Sequence, residues 1–236
     1  MLKYLMRRRN FISKYLAKKC TSLLRNYENF NYDFDINGEK NLLKKLSTLN
    51  FTTVFDVGGH LGNYSSMLRA FFPDAQLHIF EIIDDNIEHI KDKLAGHNNV
   101  FINNFGLSNE DSTVRVKYYG EGSELNSIYD YPHHGDSNWK DCLVKKGDSY
   151  IQKNNIQKID FLKIDTEGNE HLVLEGLHDT LQKGNIRVIQ FEYGKINIIT
   201  KFLLRDFYQL FNESGYTVGK LYPIAVEFKD YDLDDE

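Results

Sequence analysis

The chain has 236 residues, 41% of them hydrophobic and 14% aromatic, with only three prolines, a composition that reads as globular and can bury one good core. Residues 1–25 hold eight Lys and Arg and no acid, so with a net charge of −5 the remainder carries −13, which argues against a nucleic-acid partner. No run of ~18 apolar residues is present to span a bilayer, and the basic start lacks the roughly 7–15-residue apolar core of a secretory signal.

Cys20 and Cys142 lie far apart, with no CxxC or Cys/His zinc spacing; both read as free thiols in a reducing compartment, and a cytoplasmic location is expected. In the basic arm, Leu5, Ile12 and Leu16, with Phe11 and Tyr15, form one face of a helix whose other face is cationic. Two readings stay open: the helix lies on an anionic membrane surface, or it packs on the body or on another subunit of a homo-oligomer. Asn37-Gly38 is a turn signal, and Glu39 to Leu49 places Leu42, Leu43, Leu46 and Leu49 at helical spacing. Residues 1–50 are therefore expected to form a basic helical arm and cap, and 51–236 the main domain.

That domain opens on Thr53-Val54-Phe55-Asp56-Val57-Gly58-Gly59-His60-Leu61-Gly62-Asn63-Tyr64, a short buried strand, a glycine turn and a helix with Met67, Leu68, Phe71 and Phe72 inward. The glycines let the backbone approach a ligand, and the helix N-terminus turns its amides toward it. Val57 stands where a dinucleotide fingerprint wants its first glycine, and Asp56 ends the strand. A carboxylate there repels a pyrophosphate but suits the ammonium and sulfonium of S-adenosylmethionine; an NAD-dependent dehydrogenase is the enzyme alternative. A second strand, 76–81, ends in Glu81, placed to accept ribose hydroxyl hydrogen bonds. The next helix carries Ile87, Ile90 and Leu94, and a short strand at 100–102 runs into a loop holding Asn104.

Residues 112–119 alternate like an exposed strand, and 120–141 reads as a long irregular insertion covering the substrate. It contains His133, His134 and Trp139. The two histidines are adjacent and suit acceptor contact better than one metal ion. A second hydrophobic strand, Ile159 to Ile164, ends in Asp165-Thr166-Glu167-Gly168, and a helix with Leu172, Val173, Leu174, Leu177 and Leu181 follows. The strand at Ile186–Phe191 leads into Glu192-Tyr193. Phe202–Phe211 reads as a helix, and Tyr216–Leu221 with Ala225–Phe228 as a closing antiparallel pair. Alternation of strands and helices implies a parallel, doubly wound sheet of order 3-2-1-4-5, with ligands bound past the carboxyl ends of its strands.

Asp56-Val57-Gly58-Gly59-His60-Leu61-Gly62, Phe80-Glu81, Leu107-Ser108 and above all Lys163-Ile164-Asp165-Thr166-Glu167-Gly168-x-Glu170 resemble the FkbM family of S-adenosylmethionine-dependent methyltransferases. The resemblance runs from about residue 35 to 230, and departs where Gly59 and His60 stand for the usual alanine and asparagine. It implies a Rossmann-like class I methyltransferase with a mostly parallel seven-stranded sheet, helices on both faces and an antiparallel C-terminal strand. It also implies O-methylation, often of sugar hydroxyls in polysaccharides, glycolipids or natural products. The expected cofactor residues are Asp56, Gly58, Gly59, His60, Gly62, Asn63, Glu81, Ile82, Asn104, Gly106, Leu107 and Ser108. Asp165 is the expected base, with Glu167 and Glu192 as partners and Lys163 keeping it ionised. The three acids could instead hold Mg²⁺. His133, His134, Trp139 and Tyr193 are expected at the carbohydrate or glycolipid acceptor. A non-catalytic body docked through its basic arm is the remaining alternative.

Overall fold

The structure, a computed structural model, describes residue 7, residues 9–130 and residues 135–235. The chain divides into two compact units, one of the N-terminal segment through Leu46 with Gly219–Lys229, the other of Ser47–Val218 with the residues from Asp230. In the first, α1 (Phe11–Tyr27) starts at a capping box in which the Asn10 side chain accepts from the Ser13 N–H and the Ser13 hydroxyl oxygen accepts from the Asn10 N–H. The helix α2 (Glu39–Leu46) buries Leu43, and Lys45 Nζ donates to the Ile224 carbonyl at 2.7 Å. Gly219–Leu221 and Val226–Phe228 form a two-stranded antiparallel sheet.

The second unit alternates strands and helices: β1 (Thr53–Val57), α3 (Asn63–Phe71), β2 (Gln76–Phe80), α4 (Asp84–Lys93), β3 (Val100–Asn103), β4 (Gly106–Ser108), β5 (Ser112–Tyr118), β6 (Asn138–Lys146), α5 (Gly147–Lys153), β7 (Ile159–Ile164), α6 (Glu170–Gly176), α7 (His178–Gln182), β8 (Ile186–Phe191), α8 (Ile196–Thr200) and α9 (Leu204–Glu213). The central sheet is fully parallel in the order β3-β2-β1-β7-β8, the order expected from the sequence. Every residue of β1 and β7 is buried, as continuous apolar runs require when helices cover both faces. One core joins Phe55, Phe80, Leu162, Leu174 and Phe207 beneath the site edge.

The sheet has five strands rather than the seven expected. β4, β6 and β5 form a separate three-stranded sheet, and the C-terminal antiparallel pair forms its own. Those strands carry one wet face: Phe228 is 64% and Leu143 56% exposed, so they lack the two apolar faces that a place inside the parallel sheet demands. The insertion expected over 120–141 is correspondingly shorter, since β6 starts at Asn138 and pairs with β5 along its length. The single helix expected after Asp165 breaks at Leu177, whose side chain is fully buried in the core.

Candidate functional site

The order of strands reverses between β1 and β7, and a doubly wound sheet opens its binding crevice at that switch point. The loops leaving these two strands touch through their backbones. Gly58 has φ +89°, and a Cβ there would stand 1.7 Å from the Asp165 carbonyl oxygen, so no other residue fits. The N–H groups of Gly58 and Gly59 both donate to the Phe80 carbonyl at 3.0 Å, tying the glycine loop to the end of β2.

Two buried glutamates brace these loops. Glu81 accepts the His60 N–H on Oε2 at 2.6 Å and the Ile83 N–H on Oε1 at 2.7 Å. Burial pushes its carboxyl up to about 7. The sequence reading gives Glu81 to a ribose, but in the structure both oxygens hold backbone amides. Glu170 does the same for the second loop: its Oε1 accepts the Thr166 N–H at 2.8 Å, the Thr166 hydroxyl at 2.9 Å and the Gly168 N–H at 3.2 Å. Sequence reasoning missed this role. The only signal was a glutamate at the first position of a helix, two residues past the glycine of the preceding loop.

The charges are layered. Asp56 is fully buried; its Oδ2 accepts the Ser65 hydroxyl at 2.5 Å and its Oδ1 lies 3.8 Å from Lys163 Nζ. Burial pushes the Asp56 carboxyl up, against the pull of Lys163. Asp56, expected on the crevice wall, lies under the loop with Ser65 and Lys163 as its neighbours. Lys163, itself buried, donates to Asp165 Oδ2 at 2.9 Å and sits 4.6 Å over the Tyr64 ring, whose hydroxyl donates to Gln190 at 2.8 Å.

Above Lys163 the expected acids do converge. One oxygen each from Asp165, Glu167 and Glu192 lie within 4.8 Å of one another. Burial pushes Asp165 up, but Lys163, a hydrogen bond from Glu192 and the nearby His60 together carry it below its ordinary value. Burial, reinforced by Asp165, pushes Glu167 up to about 8 and carries Glu192 far above the carboxylate range. Like charges this close cannot all ionise, so at neutral pH the trio holds one carboxylate at Asp165 and two neutral acids. Glu167 adopts φ 53°, a strained conformation for a residue with a Cβ, and its carbonyl accepts the Ser127 hydroxyl at 2.8 Å.

The other expected residues disperse. Gly62 ends the loop as the left-handed N-cap of α3, and Asn63 begins that helix and accepts from Lys93. Ile82 packs beside a small cluster of Ile83, Val116 and Cys142. Asn104 donates to Asp84 at 2.6 Å. Gly106, Leu107 and Ser108 form the buried strand β4, with Leu107 in the main core. Trp139 lies in β6, 46% exposed, with the Arg115 guanidinium over its ring at 5.2 Å. Tyr193 is half-buried and meets Phe207 edge-on at 6.2 Å. His133 and His134 lie outside the described residues.

The residues at the switch point suit a cationic nucleoside. His60 Nε2 is buried in the glycine loop with no hydrogen-bond partner among the described residues, and a partly exposed, ionised Asp165 lies nearby. A model of the Methyltransferase FkbM domain matches residues 56–218, which takes in both loops and all three clustered acids. No curated protein matches the chain.

Proposed function

This chain belongs to the FkbM methyltransferase family, and on that footing we propose that it is an S-adenosylmethionine-dependent O-methyltransferase acting on a sugar hydroxyl of a glycan, glycolipid or polysaccharide. The observation that carries this reading is the convergence of Asp165, Glu167 and Glu192 within 4.8 Å of one another at the carboxyl edge of β7 and β8, beside a glycine loop. Residues 58–63 are the ones to hold the cofactor, with His60 contributing its unmatched ring nitrogen. When bound, S-adenosylmethionine supplies a methyl group already activated by a positive sulfur.

The remaining work falls to the chain. An acceptor hydroxyl must be aligned, a positioning effect worth up to ~7–11 kcal/mol in favourable systems. It must also lose its proton, and a base contributes about 10²–10⁴-fold. Asp165 is the base, because it is the member of the trio that is ionised at neutral pH. Glu192 donates to it and Glu167 stays neutral beside it, so the proton enters a cluster carrying a single negative charge. Tyr193, next to Glu192 in the chain, offers the aromatic face proposed for the sugar.

A second reading rests on the same oxygens, whose convergence within 4.8 Å also suits a divalent cation; Mg²⁺ there would acidify the hydroxyl directly. Calorimetry with S-adenosylhomocysteine and with NAD tests the cofactor. Tight binding of the nucleoside is expected, and tight binding of the dinucleotide, or of neither, overturns the proposal. Mass spectrometry of candidate glycans incubated with the donor tests the acceptor through the gain of a single methyl group.

A further inference from the structure

Nothing in the methyl-transfer reading uses α1, a 17-residue helix with one apolar and one cationic side. Ile12, Leu16, Leu23 and Tyr27 recur on one side of the helix, and Lys14, Lys18, Thr21 and Arg25 recur on the opposite side. The apolar side is uncovered: Ile12 is 58%, Leu16 39%, Leu23 72% and Tyr27 74% exposed, and no residue of the helix is buried. On the polar side, Lys14, Lys18, Thr21, Ser22, Arg25 and Asn26 line one open depression, a row of cations interleaved with hydroxyl and amide donors.

We propose that α1 is an interfacial anchor that lies in the plane of an anionic lipid bilayer, with Ile12, Leu16, Leu23 and Tyr27 dipping toward the acyl chains and its Lys and Arg residues held by lipid phosphates and carboxylates. Charge selects this occupant. The helix contains no acid, and residues 1–25 carry eight basic residues and none of opposite sign. A lipid surface of negative potential attracts them, and each Lys or Arg near it raises the partition about fivefold.

The helix lies on the bilayer and does not cross it. Its 17 residues span roughly 25 Å, and among the described residues no helix is long and apolar enough to cross a membrane. The anchor is independent of the acceptor, and stands whether or not the transferase acts on a sugar.

Co-sedimentation of the full chain with vesicles of phosphatidylcholine alone, or of phosphatidylcholine with phosphatidylserine, tests this. Binding to the anionic vesicles alone, weakened by added salt, is the expected result. The triple variant Lys14→Gln, Lys18→Gln, Arg25→Gln should lose about a hundredfold in partition, three times the per-charge factor on a logarithmic scale. The double variant Leu16→Ser, Leu23→Ser should lose more than about tenfold through its apolar face. All five positions are exposed, and calorimetric binding of S-adenosylhomocysteine compared with the unaltered chain reports that the body is intact. Equal binding to both vesicles, no binding, or binding unmoved by either variant set overturns the proposal. So does a dimer in light scattering that Leu16→Ser, Leu23→Ser abolishes while vesicle binding is absent, which would assign the face to a second copy.

Discussion

Lys163 donates to Asp165 across 2.9 Å from a position directly opposite Asp56 in the β1–β7 ladder, so one buried ammonium serves acids on two adjacent strands. The lower acid is fully buried and the upper one reaches the crevice. Replacing Lys163 with Met should therefore have two separable effects. Asp56 loses its cation in the core, and breaking a buried pair in this way costs about 3–5 kcal/mol, read from urea unfolding. Asp165 loses the charge that carries it below its ordinary value, so the acid limb of the rate–pH profile moves to higher pH. A K163M variant with an unmoved acid limb would remove Lys163 from the catalytic account and leave it a structural ion.

Asp165→Asn removes the base while retaining the shape of the loop. The expected outcome is a fall in kcat of about 10²–10⁴-fold, with S-adenosylhomocysteine binding retained. If methyl transfer stays within a few-fold of the unaltered chain, the proton leaves by another route and Asp165 is not the base.

The glutamate brace under the glycine loop gives a stability prediction with a definite sign. Glu81 goes from an ordinary 4.5 to about 7 on folding, so the fold favours its protonated form by roughly 3 kcal/mol. That stability is fully present below pH 4.5 and is lost as pH rises through 7. Glu81→Gln has no such proton to lose, but its amide can accept only one of the two N–H groups from His60 and Ile83. The variant should be the less stable protein at pH 5, and the gap should narrow as the pH approaches 8 in paired urea titrations. A constant gap would mean that Glu81 is already ionised in the folded chain.

The sheet and the acid rim were legible because both follow from short-range pattern. Thr53–Val57 and Ile159–Ile164 are strands buried on both faces, and such strands read as mostly apolar runs that the chain leaves through polar residues at their carboxyl ends. That rule alone brings Asp165, Glu167 and Glu192 to one edge. It cannot tell an acid that faces ligand from one that holds backbone, because the answer depends on where the next loop runs. The backbone partners of Glu81 and the role of Glu170 were not legible for that reason. The start of β6, Asn138–Asp141, fell inside the expected insertion because its partners β4 and β5 are distant in sequence and the pairing that makes it a strand is with them.

At Gly59 packing leaves no room for a side chain. A Cβ there would meet Ile79 Cγ2 at 2.6 Å and Ile90 Cδ1 at 3.2 Å. Ile79 is fully buried in β2 and its branched carbon cannot swing away. Gly59→Ala should cost about 1–3 kcal/mol, the usual range for overpacking. Adding Ile79→Leu removes the branch and should recover most of the loss, whereas Gly58→Ala should find no such rescue, since its obstacle is the Asp165 backbone. Thermal unfolding of the three variants checks this, and an unaffected G59A would show that the loop shifts more easily than its contacts suggest.

Glu192→Gln separates the two readings of the acid trio. If Glu192 is neutral and donates to Asp165, an amide of nearly the same shape keeps that donor, and kcat should stay within about tenfold of the unaltered chain. Adding a chelator, or Mg²⁺, should then leave the rate where it was. If the trio instead holds a divalent cation, Gln replaces one of three anionic ligands with a neutral one. The variant should then be inactive at ordinary Mg²⁺ and recover as the ion is raised, and the unaltered enzyme should stop in chelator. Measuring rate against Mg²⁺ for both proteins decides which chemistry removes the hydroxyl proton, because a shared proton and a bound cation cannot occupy the same three oxygens at once.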